Sequence, residues 1–339
     1  MKKSVGNPDQ YAPIVAAVPS GSGAAVVHRM IEDNTPSYKV KTYPPTWEYC
    51  PFKLRQLREP TAALVHAPPD HAIFVCPRRT PLVITFHNYV LDPAMRAHGS
   101  LAQRLHYAGD LRLLTRLALR QAVAVTAVSD FTAQLVRDDM RFAGTIAVIP
   151  NGVDTQRFHP AEEAREGGPL RVLFSGNLTR RKGAQLLPEI ARLAGPDVAI
   201  HYTAGARAEL TDPGWAGLHP VGRVPHHDMP TLYRQFEVLL LPTVREGMSL
   251  ALLEAMASGL AVVASNASSN PELIAEGVGG HLCPVAEAEA YAAALRSLAS
   301  SRAKVRAMGQ ENRRLVEQQH SVGRMVGAYQ ALFAEVLAI

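Results

Sequence analysis

The sequence predicts an α/β protein of two domains, each a parallel sheet flanked by helices, and three observations predict it. Its 339 residues exceed what one hydrophobic core usually fills, which argues for roughly two domains of ~150 residues. Short apolar runs alternate with helical patterns almost throughout, as they do where helices cover both faces of a parallel sheet. The alternation breaks once, at the turn Pro150-Asn151-Gly152-Val153-Asp154 and the polar linker Ala161–Gly168 that follows. Residues 1–150 are therefore expected to form one domain, 151–320 a second, and 321–339 a terminal helix.

In the first domain, strands are expected at 14–18, 39–43, 63–66, 82–86, 123–128 and 146–149, where β-branched and apolar residues cluster between turn signals. The second domain repeats the plan. Strands are expected at 170–174, 198–202, 238–241 and 261–264, with helices near 184–194, 229–236 and 250–258. In the last fifty residues, Met325, Val326, Tyr329, Leu332, Phe333, Val336 and Leu337 recur at three-to-four spacing. One apolar stripe on a helix must dock on something.

Composition excludes several classes. Hydrophobic residues make up 47% and charged residues 19%, which argues against disorder. The start Met1-Lys2-Lys3 turns polar, and the first apolar run, Ala12–Val18, is broken by Pro13. That is a poor signal peptide. No run approaches the ~18 apolar residues of a spanning helix. Three scattered cysteines, Cys50, Cys76 and Cys283, suit reduced thiols. A cytoplasmic protein, soluble or peripheral on the inner membrane face, is the expectation.

The net charge of +5 is uneven. Residues 1–150 hold 17 Lys+Arg against 11 Asp+Glu, leaving 18 against 19 for the rest. A basic first half suggests an anionic surface or ligand. Arg112, Arg116 and Arg120 recur every fourth residue, with Leu113, Leu114 and Leu117 on another face of the same helix. This stripe is either a solvated face or a contact with anionic lipid. Nucleic acid is not expected, because aromatics are just 6% and do not interleave with the basic residues.

The most informative stretch runs from Leu239 to Ser265: a buried strand, Pro242, a loop with Glu246-Gly247-Met248-Ser249, a helix, Gly259 and another strand. Ser249 stands where a helix N-cap would, and the amides beyond it suit a phosphate. Glu254 follows Glu246 by eight residues. One carboxylate accommodates a ribose diol and the other the hydroxyls of a sugar, although spacing alone also fits a loop residue and a solvated helix residue. Upstream, the strand at 170–174 runs through Gly176 and Asn177 to Arg180-Arg181-Lys182-Gly183. Cations there suit a diphosphate.

The segment REGMSLALLEAMASG resembles the Glu-x7-Glu signature of glycosyltransferase family 4. FSGNLTRRKG, IPNGVDTQRFHP and GRVPHHDMPTLYRQFEVLLLP are similar to further blocks of that family. The resemblance implies a GT-B fold of two Rossmann-like domains facing across a cleft, with the last helix crossing back to the first domain. It implies transfer of a hexosyl-type sugar, with retention, from a UDP- or GDP-sugar to a glycan or lipid-linked acceptor.

By the same resemblance Glu246 contacts the donor sugar, Gly247, Met248, Ser249 and Leu250 offer amides to sugar and diphosphate, and Glu254 holds the ribose. Gly176 and Lys182 belong to the diphosphate site. Where the family places arginine directly after that glycine this chain has Asn177, so the second cation is assigned to Arg181, with Arg180 the alternative. Arg223 and Val224 flank the base.

In the first domain, Gly21 and Gly23 follow the first strand, so their backbone can approach a phosphate or sugar closely. Val26 and the non-acidic Lys41-Thr42-Tyr43 count against a dinucleotide fingerprint. His87 matches a family histidine near the 6-hydroxyl of the transferred sugar or the acceptor. The chain has no Asp-x-Asp pair, so no metal or cofactor is expected. A nucleotide-sugar 2-epimerase and a noncatalytic sugar-nucleotide-binding protein are the alternatives.

Overall fold

The computed structural model describes residues 12–92, 107–163, 167–205, 215 and 217–338. Met1–Lys3 and part of the 161–168 linker lie outside the described residues. In chain order the elements are β1 (Ile14–Pro19), α1 (Gly23–Asn34), β2 (Tyr38–Tyr43), β3 (Leu64–Ala67), α2 (Ala72–Val75), β4 (Leu82–Phe86), α3 (Arg112–Gln121), β5 (Ala124–Ala127), α4 (Asp130–Met140) and β6 (Ala147–Val148). They continue with β7 (Leu170–Phe174), α5 (Leu187–Ala194), β8 (Val198–Thr203), β9 (Leu218–Gly222), α6 (Met229–Tyr233), β10 (Val238–Leu241), α7 (Leu250–Ala257) and β11 (Ala261–Ser265). The remainder are α8 (Asn270–Leu273), β12 (Gly280–Cys283), α9 (Ala288–Ala299), α10 (Arg302–Gln319) and α11 (Val322–Leu337).

The chain divides into two compact units, Met1–Asn151 with Gly323–Ile339, and Gly152–Val322. Each holds one six-stranded parallel sheet, ordered β2-β1-β3-β4-β5-β6 in the first and β12-β11-β10-β7-β8-β9 in the second. Of the central strands, β10 is an unbroken apolar run, Val-Leu-Leu-Leu, and β4, Leu-Val-Ile-Thr-Phe, is apolar but for Thr85; every residue of both is buried. That is what a strand covered by helices on both faces requires.

Two strands go beyond the sequence expectation, β9 and β12, and both are sheet edges. Strand β9 exposes His219 and Pro220, and β12 buries only its two end residues fully. Edge strands lack the apolar run that marks the central ones. The helix expected over 184–194 begins instead as a 3₁₀ turn, Ala184–Leu186, and becomes α-helical at Leu187 with Pro188 in its first turn, where no amide is missed.

Helix α11 lies with the first unit. Its Met325, Val326, Tyr329, Phe333 and Val336 are buried, while Leu337 at the end of the stripe is 46% exposed. Phe333 stacks on Tyr38 at 5.8 Å between ring centroids, and Tyr329 lies 5.2 Å from His66. Each such buried aromatic contributes ~1.5–3 kcal/mol. Among the described residues no helix is long and apolar enough to cross a membrane.

Candidate functional site

In the second unit the chain enters at β7 and fills the sheet outward in both directions, so β7 and β10 are neighbours across the point where the order reverses. Open α/β sheets hold ligands beyond the carboxyl ends of the strands at that point. The segments arriving there are Ser175–Gly183 after β7 and Pro242–Ser249 after β10.

Thr179 caps a 3₁₀ turn, Arg180–Lys182, by accepting from the Lys182 amide at 3.3 Å, and the turn closes at Gly183 with φ 74°. The facing loop grips it: the Val244 amide donates to the Arg181 carbonyl at 2.9 Å, and Thr243 Oγ1 lies 3.1 Å from the same carbonyl. The two adjacent cations thereby converge on one carboxylate oxygen. Lys182 Nζ lies 2.7 Å and Arg181 Nη1 3.2 Å from Glu246 Oε1, which also accepts from Thr243 Oγ1 at 3.0 Å. Arg181 Nη1 donates to the Arg245 carbonyl as well, at 2.8 Å. The Glu246 amide donates to Ser268 Oγ at 3.0 Å.

Burial pushes the Glu246 carboxyl up, but the Lys182 and Arg181 charges, with hydrogen bonds from Lys182 and Thr243, outweigh it and hold the group below the usual carboxylate range. Two cations against one carboxylate leave an excess positive charge. Beside them α7 starts, capped by Ser249, whose hydroxyl accepts from the Leu252 amide at 3.4 Å. A helix N-terminus adds partial positive charge, so this end of the sheet suits an anion in addition to Glu246.

Glu254, 5% exposed, has different company. Its Oε1 lies 2.9 Å from His226 Nε2 and its Oε2 3.2 Å from the Tyr233 hydroxyl, which also sits 3.2 Å from Ser175 Oγ. Burial, then the Glu254 charge, raises the Tyr233 phenol well above its ordinary value. A carboxylate held by an imidazole and a phenol, with no Lys or Arg ion-paired to it among the described residues, suits accepting hydrogen bonds from hydroxyls.

Of the other expected residues, Gly176 (φ 148°) lies beside Lys182, whose Cε is 3.8 Å from where a Cβ would stand. Asn177 turns elsewhere: its Oδ1 is 2.0 Å from the position of a Cβ on Gly205, which only glycine tolerates. Gly247, Met248, Ser249 and Leu250 form the entry to α7. Arg223, exposed, and Val224, half-buried, leave β9 on the loop that brings His226 to Glu254. His226, Tyr233, Thr243 and Ser268 were not anticipated. His226-His227 stood inside a recognised block, whereas nothing local marks Thr243 or Ser268.

The first unit carries the rest. Its sheet order reverses between β1 and β3. After β1, Gly21 adopts φ 70°, and Ser22 caps α1, accepting from the Ala25 amide at 3.1 Å and donating to the Pro19 carbonyl at 2.8 Å. A Cβ on Gly21 or Gly23 would meet nothing within 4 Å, so the loop faces open space. His87 follows β4, and burial brings its pKa down to about 4, leaving it neutral at pH 7.

The arginine stripe needs correction. Arg112 turns inward: Nη2 donates to Asp139 Oδ1 at 2.7 Å and to the Asp139 carbonyl at 2.9 Å, and Nη1 donates to Asp139 Oδ2 at 2.9 Å. Arg116 and Arg120 remain exposed. Leu113 and Leu117 share that exposed side, at 58% and 37%, and only Leu114 packs against the core.

Two open parallel sheets, each with one reversal of strand order, the second with two cations and two glutamates beyond its strand ends, are the features of a GT-B glycosyltransferase. Residues 169–301 match the family model described as glycosyl transferases group 1, and residues 9–157 that described as glycosyltransferase family 4. The chain is 30% identical over 260 residues to the lipopolysaccharide core biosynthesis mannosyltransferase LpcC of Rhizobium leguminosarum, covering 70% of each.

The chain belongs to glycosyltransferase family 4. It is 29% identical over 217 residues to the alpha-maltose-1-phosphate synthase of Mycolicibacterium smegmatis, covering 55% of each chain, so it spans about half that relative's length. Among solved structures, sucrose-phosphate synthase from Thermosynechococcus elongatus superposes with a TM-score of 0.81 at 17% identity, covering 96% of this chain and 99% of that one. Anabaena HepE, solved with UDP and glucose, gives 0.76 at 18%, covering 96% and 100%. The two solved structures show the fold, and the family makes the chain a glycosyltransferase rather than an epimerase.

Proposed function

We propose that the chain is a retaining hexosyltransferase that takes a sugar from a UDP- or GDP-sugar and delivers it to a glycan or lipid-linked acceptor. The observation that carries this reading is the convergence of Lys182 and Arg181 on Glu246 beside the N-terminus of α7. Glu254 holds the ribose diol, the α7 amides and the two cations hold the diphosphate, and Glu246 receives hydroxyls of the sugar. The acceptor oxygen attacks C1 from the leaving-group side. Its bond to C1 forms as the C1–phosphate oxygen bond breaks, and that phosphate oxygen takes the acceptor's proton. The nucleoside diphosphate leaves carrying charge that Lys182 and Arg181 neutralise, so no metal is assigned to this step.

Thermal unfolding with a panel of nucleoside diphosphates, with and without Mg²⁺, tests the donor site. UDP or GDP is expected to raise the melting temperature without metal, by the equivalent of ~2.7 kcal/mol at a hundredfold excess over Kd. Glu254→Ala is expected to lose that rise. If no diphosphate stabilises the wild type, the donor site is wrong.

The exposed side of α3 supports a peripheral contact with anionic lipid on the cytoplasmic face, through Arg116 and Arg120 flanked by Leu113 and Leu117. At ~1 kcal/mol for each basic residue near an anionic surface, alanine at both is expected to weaken binding to phosphatidylglycerol vesicles roughly 30-fold in a flotation assay. Equal binding by wild type and double variant would dismiss the contact.

A further inference from the structure

His87 is one end of a buried polar chain that crosses the first unit's sheet. Its Nε2 lies 3.1 Å from His28 Nε2, on α1. His28 Nδ1 is 2.6 Å from the Tyr38 hydroxyl on β2, and that hydroxyl is 2.6 Å from His66 Nδ1 on β3. His66 Nε2 is 2.6 Å from Thr85 Oγ1 on β4, itself 2.6 Å from Thr126 Oγ1 on β5. At the far end Thr126 Oγ1 reaches the Ile84 carbonyl at 3.3 Å. His28, Tyr38, His66, Thr85 and Thr126 are each 0% exposed. Such a network is costly unless every member is satisfied.

Burial lowers the pKa of all three imidazoles. Each neutral ring has one N–H, and each hydroxyl one proton. The six members thus have six protons for six links, counting the one to Ile84. A carbonyl can only accept, so the six links are all made in one direction alone. Thr126 donates to Ile84, Thr85 to Thr126, His66 Nε2–H to Thr85, Tyr38 to His66 Nδ1, His28 Nδ1–H to Tyr38, and His87 Nε2–H to His28. Reversing the chain leaves the Ile84 link empty. In the satisfied direction Thr85 keeps a lone pair for the Tyr329 hydroxyl of α11, 3.4 Å away.

We propose that this directed relay holds His87 in its Nε2–H tautomer and so presents a bare Nδ1 as acceptor for a substrate hydroxyl. His87 Nδ1 makes no hydrogen bond among the described residues, which leaves its lone pair for a ligand. His28, Tyr38, His66, Thr85 and Thr126 are positioning residues that act through His87, since the bond at one ring nitrogen sets the chemistry of the other. The substrate end of the proposal rests on the transferase reading; the tautomer does not.

The test is long-range ¹H–¹⁵N correlation NMR at pH 7 on the full chain labelled with ¹⁵N-histidine, with the His87 signals assigned by their loss in His87→Gln. Wild type is expected to show His87 neutral and protonated at Nε2. Tyr38→Phe keeps the ring and removes the central hydroxyl, so His87 is expected to become a mixture of tautomers, while kcat falls about 10-fold, as for orienting partners of other functional histidines, with the donor KM unchanged. Should that variant fail to fold, Thr126→Val removes the end that sets the direction and is expected to mix the tautomers likewise. A His87 protonated at Nδ1 in the wild type, or variants that leave its tautomer untouched, would overturn the relay. Full turnover by His87→Gln beside the expected NMR result would uphold the relay and remove the substrate role of His87.

Discussion

Lys182→Ala is expected to lower kcat by roughly 10²–10³-fold, the effect typical of removing one preorganised group that stabilises transition-state charge. The reason lies in the ion pairs. Lys182 Nζ is 2.7 Å from Glu246 Oε1 and its side chain is 13% exposed, so the charge is already oriented and largely dry. Negative charge on a leaving diphosphate grows as the C1–oxygen bond breaks, so a fixed cation gains more in the transition state than in the bound donor. The loss should therefore appear in kcat more than in KM. Arg181 remains on Glu246 at 3.2 Å, so the buried carboxylate is not orphaned and the fold should survive. Arg181→Ala is expected to cost less, since that guanidinium is more exposed, at 28%, and divides its bonds with the Arg245 carbonyl. Steady-state rates over a range of donor concentrations check this. A raised KM with kcat intact would mean that Lys182 only binds the donor.

The central strands, the two-unit division and the stretch from Glu246 to Glu254 were legible because each rests on local pattern: an apolar run, a turn cluster, or a capped helix entry. Strands β9 and β12 were not, since Leu-His-Pro-Val-Gly and Gly-His-Leu-Cys carry neither an apolar run nor an alternation. Nor was the role of Arg112. A four-residue repeat places side chains on one helix face, but it cannot show that Asp139, 27 residues away, draws one of them inward. Thr243 and Ser268, which orient Glu246, and the partners of His87 come together only through tertiary packing. His28, His66 and His87 are 38 and 21 residues apart and look like unrelated histidines along the chain. Asn177 marks the opposite case: the sequence departs from the family pattern there, and in the structure Arg181 and Lys182 meet on Glu246 while Asn177 packs against Gly205.

That turn is held by Gly183, and Gly183→Ala is expected to be among the most damaging single-methyl additions near the site. Two costs combine. At φ 74° a side chain pays for a left-handed backbone, about 1–2 kcal/mol, and the new Cβ would stand 2.0 Å from the Pro242 carbonyl oxygen. Backbone cannot swing aside as a flexible side chain can, so overpacking adds about 1–3 kcal/mol. A total near ~3 kcal/mol corresponds to a fall of roughly 6–12 °C in the melting temperature of a unit this size. The clash also forces apart the two loops that the Val244 amide fastens together, and these loops carry Lys182 and Glu246, so turnover should fall with stability. Gly195→Ala provides the control. Its φ of 80° and ψ of −175° lie in a region almost confined to glycine, yet a Cβ there meets nothing within 4 Å, so it bears a backbone cost without a clash and should leave turnover intact. Melting curves and rates for the two variants separate conformational strain from the clash. Equal losses of turnover in both would mean that the contact between Gly183 and Pro242 does not hold the site together.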